Sequence, residues 1–223
     1  MPHPESLPPR RHFLGTLAMA GAALTIPGIG SAAPRPVRPA TGPDDWDHSW
    51  LKRLNRKHQL VFDTKGLGGT EVFGYPTRYL DAMESGYGAK PADTLVVIGL
   101  HGTAWAAVVD DERWNRYGIG DVVSVTDPVT RAPSLRNTLR VHDDPARPTL
   151  ATVQARDAVV IVCNNTLRRV SRDLAGADSG RLVDQVYADL RAGILPGVTV
   201  VPAMVAALEM AQSRGCSYVL GAA

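Results

Sequence analysis

The chain has 223 residues, 44% hydrophobic and 21% charged, values typical of globular proteins that exclude wholesale disorder, a collagen-like fibre and a coiled coil as whole-chain descriptions. Lys and Arg number 24 against 22 Asp and Glu, a formal charge of +2; so small a surplus, with no interleaved aromatic residues, makes nucleic acid an unexpected partner. Arg supplies 20 of the 24 basic residues, a usage that marks no binding surface by itself.

The first segment carries Arg10-Arg11 ahead of Phe13-Leu14-Gly15, then a weakly apolar run to Ile29 softened by Gly21 and Pro27, then Gly30-Ser31-Ala32-Ala33-Pro34. A positive start, a short apolar stretch and small residues at a cleavage point resemble a twin-arginine signal peptide. Cleavage is expected after Ala32, because Pro34 then avoids the position following the cut. Phe13 to Ile29 falls short of the roughly 20 residues a spanning helix needs, so no stable membrane span is expected after cleavage. The mature protein, roughly 190 residues and suited to one α/β domain, is expected in the periplasm or secreted. Residues 1–32 are assigned to the signal, 33–57 to a Pro- and Arg-rich linker with a basic segment, and 58–223 to the folded domain.

Within the linker, Pro34, Pro36, Pro39 and Pro43 predict a flexible tether to about Asp44, and the run Lys52, Arg53, Arg56, Lys57 predicts a solvated face. Gln59-Leu60-Val61-Phe62 reads as a short strand, followed by a Gly-rich turn (Gly66, Gly68, Gly69) and a helix from about Pro76 to Met83. Thr94 to Leu100 is a continuous apolar run, the pattern of a strand covered on both faces. Helical pieces follow at 103–109 and 111–117. Residues 121–155, with Pro128, Pro133, Pro145 and Pro148, predict a long irregular excursion: an insertion, a lid or an oligomer contact. Ala158 to Val162 is a third strand, with a helix beginning near Asn165. Leu182, Val183, Val186, Tyr187 and Leu190 recur at helical spacing and Gly193 stands where a C-terminal cap belongs. Val198 to Val201 is a fourth strand. Pro202 is expected to open the last helix, Gly215 to close it, and Tyr218-Val219-Leu220 to supply a fifth strand. Alternating strands and helices predict an α/β fold: a mostly parallel sheet of about five strands with helices on both faces.

Ligands of open parallel sheets gather outside the carboxyl ends of the strands. The residues there are Asp63-Thr64-Lys65, His101-Gly102-Thr103 and Cys163-Asn164-Asn165-Thr166. Cys163 and His101 are the candidate reactive pair. A cysteine where a strand gives way to a helix is expected near unpaired backbone N–H groups, an environment that favours a thiolate; inert packing is the other reading of a cysteine ending an apolar strand. His101 is a candidate base toward Cys163, or a residue that ties a loop to the backbone. Lys65, Gly102, Asn164, Asn165 and Thr166 are the candidate binding residues. Cys216 reads as core, and opposite strand ends keep it from pairing with Cys163. No metal signature and no cofactor motif is present: CxxC, HExxH, GxGxxG, P-loop and GxSxG patterns are all missing.

Four segments together, Val160-Ile161-Val162-Cys163-Asn164-Asn165-Thr166-Leu167, Ile194 to Ala203, Arg116-Tyr117-Gly118-Ile119-Gly120 and the strand ending in His101-Gly102, resemble the DsrE/DsrF-like family, specifically its twin-arginine-exported members, over residues 58–220. That resemblance implies a three-layer α/β sandwich assembled as a homotrimer or a hexamer built from two trimers. It further implies that Cys163 accepts sulfane sulfur as a persulfide and exchanges it with a donor or acceptor protein. The alternative function is a non-catalytic module that uses the same strand-end crevice to bind a small ligand or to assemble.

Overall fold

A computed structural model describes residues 46–68, 71–140, 146–176 and 179–222; the signal segment and the expected tether lie outside the described residues. Strands β1 (His58–Thr64), β2 (Thr94–Leu100), β3 (Val159–Cys163), β4 (Val198–Val201) and β5 (Ser217–Leu220) form one sheet in the order β4-β3-β2-β1-β5. All neighbouring pairs are parallel. The helices are α1 (Glu71–Ser85), α2 (Asp111–Tyr117), α3 (Ile119–Val122), α4 (Leu150–Ala155), α5 (Asn164–Ala175), α6 (Val183–Ala192) and α7 (Met204–Ser213). The α/β fold with a five-stranded parallel sheet is thus the one the apolar runs announce.

Handedness decides where the helices go. The chain steps from β1 to β4 in one direction across the sheet, and right-handed crossovers keep the intervening helices on one face. On that face Phe62, Val96, Ile98, Val160 and Val162 pack with Trp105, Trp114, Leu150, Leu167 and Leu190 in the larger core. The passage from β4 to β5 runs the opposite way, so α7 lies on the other face. There Val61, Val97, Val159 and Ile161 meet Met204, Ala207, Leu208 and Ala211 in a smaller core.

One helix does not cover that second face. Trp50, Leu51 and Leu54, from the 3₁₀ turn Ser49–Arg53 and just after it, complete the smaller core, so the packed chain reaches back ahead of His58. The basic run over 52–57 divides accordingly. Lys52 and Lys57 are exposed, while Arg53 and Arg56 both pair with Asp157, at 2.7 and 3.2 Å, in the turn before β3.

Two boundaries differ from expectation. Pro76 lies inside α1 rather than at its start, and α7 begins two residues after Pro202, with Ala203 as its N-cap. The excursion is also more ordered than its prolines suggest. It ends in α4, whose start is a reciprocal capping box between Thr149 and Thr152, and an isolated antiparallel bridge joins Thr126 to Pro133. Its fastening is Asn137, buried at 4% exposure. The Asn137 amide donates to the carbonyls of Ala107 at 2.9 Å and Val109 at 2.8 Å, its Oδ1 accepts the Leu139 N–H, and its own N–H donates to Asp111. At the other end Gly120 packs so close that a Cβ there would lie 2.2 Å from the Ser134 carbonyl oxygen.

Between α2 and α6, Asp189 accepts hydrogen bonds from Arg113, Arg116 and Tyr117. Burial alone would raise the Asp189 carboxyl, but those three donors outweigh it and hold the group below the ordinary value of 3.8.

Asn137→Ala is expected to cost about 1–3 kcal/mol in urea unfolding, because it strands buried carbonyls, whereas Leu135→Ala, at a 62% exposed position of the same excursion, is expected to be near neutral. A depressed carboxylate contributes stability that is present above its unfolded value and is lost as pH falls through its folded one. Asp189→Asn is therefore expected to lower the urea midpoint at pH 7, with the gap to wild type narrowing as pH falls below 3.8.

Candidate functional site

All five strands point their carboxyl ends to one edge, and two separate polar groupings stand there. The first is on the smaller-core face. Asp63 near the end of β1 is buried, and its Oδ1 lies 2.6 Å from His101 Nε2 while its Oδ2 accepts the Tyr218 hydroxyl at 2.8 Å. A buried carboxylate needs such partners. The bond to Asp63 pushes the Tyr218 hydroxyl above its ordinary value of 10.0, which keeps it a donor. The His101 side chain is 20% exposed.

Cys163 belongs to this same face. β2 and β3 are in register to Leu100 and Val162, and His101 and Cys163 each follow by one residue. No hydrogen bond joins them among the described residues. The sulfur instead accepts the Met204 N–H at 3.3 Å, at the first turn of α7 rather than of α5. Cys163 is the N-cap of α5 without a side-chain capping bond, and it is 5% exposed among Val201, Met204 and their neighbours. The alternation of β3 explains this: Cys163 shares its side of the strand with Val159 and Ile161, whereas α5 packs its Leu167 and Val170 into the opposite core. Cys216 is buried and free, as is Cys163, and burial pushes the Cys216 thiol up to about 11.

The second grouping is a cleft of about 1090 Å³ over the ends of β1 and β2 on the larger-core face. One wall is made by the strand-end turns, including Lys65, Gly68, Gly102 and Thr103; the other is made by the excursion over 123–140, with Arg147 and Arg169 at the margin. The two turns are locked together. The Lys65 carbonyl accepts the N–H groups of Thr103 at 2.7 Å and Ala104 at 3.2 Å. Gly102 has φ +58° and a Cβ there would lie 2.2 Å from the Lys65 carbonyl oxygen, so no side chain fits at this position.

Of the sequence-derived candidates, the structure therefore brings Lys65 and Gly102 into the cleft. Cys163 and His101 lie on the other face, each with its own partner, Met204 N–H and Asp63. Asn164 is buried, with its Oδ1 accepting the Tyr187 hydroxyl at 2.6 Å; Thr166 is buried and Asn165 exposed, and none of the three lines the cleft. Arg168 stacks over the Tyr187 ring, 4.3 Å from its centroid, while Arg169 turns to the cleft, its Nη2 3.4 Å from the Gly102 carbonyl. A lid was one of three roles open to the excursion, but nothing periodic announces that 123–140 folds back over the strand ends as the cleft's second wall. Sequence reasoning missed the tie from Asp63 to His101 and Tyr218, for which an acidic residue closing an apolar strand was the available signal. Among the described residues no group of three or more His, Cys, Asp or Glu side chains is placed to hold a metal ion, and no helix is long and apolar enough to cross a membrane.

Thiols react as thiolates and only when reached by reagent. With both cysteines buried, iodoacetamide at pH 8 is expected to modify neither in the native protein and both in urea, as read by mass spectrometry; prompt native modification of Cys163 would show that α7 opens.

No family model, no curated protein and no solved structure matches this chain.

Proposed function

We propose that this chain is a small-ligand-binding module whose ligand occupies the cleft between the β1 and β2 strand-end turns and the 123–140 excursion. The single observation that carries the reading is the cleft itself: about 1090 Å³, space enough for a drug-sized molecule, at the edge where parallel sheets bind ligands. Its construction supports the same reading. One wall is fixed by the Gly102 approach to Lys65 and the other by Asn137, and walls set before binding spare a ligand the cost of ordering them. The Arg10-Arg11 signal and its small-residue cleavage point support a site of action outside the cytoplasm.

Sulfur transfer on Cys163, the activity the DsrE/DsrF-like resemblance implies, is the second reading. What favours it is the Asp63–His101 pair, one residue past the ladder that ends at Leu100 and Val162 and so near the strand end that carries Cys163. It requires the Met204 end of α7 to lift from the sulfur, so the alkylation result above decides it.

The cleft reading is tested by a thermal-shift panel of neutral sugars, amines and oligo-anions. At a concentration 100 times its Kd a ligand adds about 2.7 kcal/mol of stability, a shift of several degrees. At least one class is expected to raise the melting temperature of wild type and to lose that effect in Thr138→Trp, which fills the cleft from a half-buried lining position. A panel without any hit, or hits undiminished by the filled cleft, would overturn the proposal.

A further inference from the structure

We infer that the cleft's ligand is a non-aromatic molecule bearing several anionic groups, of the phosphate, sulfate or carboxylate kind; this rests on the cleft reading just given and adds the chemical class. Among the described residues, six cationic side chains line the cleft, Lys65, Arg131, Arg136, Arg140, Arg147 and Arg169, against one carboxylate, Asp111. The whole chain has a formal charge of only +2, so a positive surplus is gathered into this one concavity. Arg dominates the chain's basic residues everywhere; the gathering, rather than the choice of Arg over Lys, carries the inference.

Among the described residues, the acids near Arg131, Arg136, Arg140 and Arg169 leave most of their charge uncompensated. Asp111 accepts the Asn137 N–H at 2.8 Å. Arg169 has Asp173 at 3.4 Å, an exposed pair of the kind worth little. Arg136 faces Asp127, whose carboxylate is held below its ordinary value chiefly by the Thr130 and Val129 N–H groups. The guanidinium groups of Arg131 and Arg140 make no hydrogen bond or ion pair among the described residues. Like charges lining one concavity repel one another and draw in counter-charge, more strongly at low salt. An anion with several charged groups relieves that repulsion at more than one guanidinium at once, through paired N–H···O bonds. Among the described residues the lining contains no Phe, Tyr, Trp or His, so these offer no stacking platform for a nucleobase.

The experiment is calorimetric titration of the full mature chain with inorganic tripolyphosphate as the probe, beside citrate, sucrose octasulfate and maltose. Tripolyphosphate, and one or both of the other polyanions, are expected to bind with an affinity that falls as salt rises, and maltose is not. Comparison among the three polyanions distinguishes phosphate, carboxylate and sulfate as the preferred group. Arg131→Ala/Arg140→Ala is expected to lose about tenfold or more in affinity with an unliganded melting temperature equal to or above wild type, since removing unpaired like charges does not weaken the fold. Lys52→Ala/Lys57→Ala, which removes two exposed cations outside the cleft lining, is expected to leave affinity unchanged. Binding that both double variants weaken alike, or that neither weakens, would overturn the inference as adventitious charge attraction. Silence from all three polyanions while a neutral or cationic panel member shifts the melting temperature would overturn the chemical class and leave the cleft reading standing. No binding by any class would overturn both.

Discussion

The right-handed crossover is the constraint on which the rest of this molecule depends. Four strands laid down in one direction send every intervening helix to one face, and the return to β5 delivers α7 to the other. Because all pairs are parallel, the turns after β1 and β2 emerge side by side. Their adjacency lets the Lys65 carbonyl receive the Thr103 and Ala104 N–H groups, and it gives the chain between α3 and α4 a platform to fold against. An antiparallel pairing of β1 and β2 would put those turns at opposite edges and leave the cleft with half a floor.

The same edge carries two polar groupings that do not mix, and residue parity is what separates them. Asp63, His101 and Cys163 occupy positions that face the smaller core; the cleft opens beside Leu67 and Leu139, which belong to the larger one. Sequence proximity is therefore a poor guide to cooperation here. His101 and Gly102 are neighbours in the chain, yet one joins a buried carboxylate and the other lies at the base of a solvent-facing cleft. Cys163 and Asn164 are likewise adjacent, with the sulfur under α7 and the amide oxygen turned to Tyr187.

What was legible in the sequence follows from what leaves a periodic trace. Runs such as Thr94–Leu100 are buried on both faces and fully apolar, so their identity as interior parallel strands is written in composition. The same uniformity hides which way any one residue points, and this is why the junction holding Cys163 was visible while the side its sulfur takes was not. Trp50 and Leu51 looked like linker because a short turn that covers an exposed sheet face has no repeat to recognise. The excursion was opaque for a different reason. Its order comes from single side chains, Asn137 on the Ala107 and Val109 carbonyls and Ser134 Oγ on the Arg136 carbonyl, and such long-reach bonds have no spacing rule. Its arginines were readable one by one, but their convergence exists only once the chain has folded back.

The excursion is fastened near both ends, by Gly120 against Ser134 and by Asn137 against the Ala107 and Val109 carbonyls, and most of its cations sit on residues whose backbone bears no part of the sheet. On the proposed ligand-binding reading, scaffold and recognition chemistry are thus carried largely on separable stretches of polypeptide. On that reading, selectivity is open to redesign through the exposed side chains of 123–140, while Asn137 and the strand-end turn, closed to substitution at Gly102, are kept.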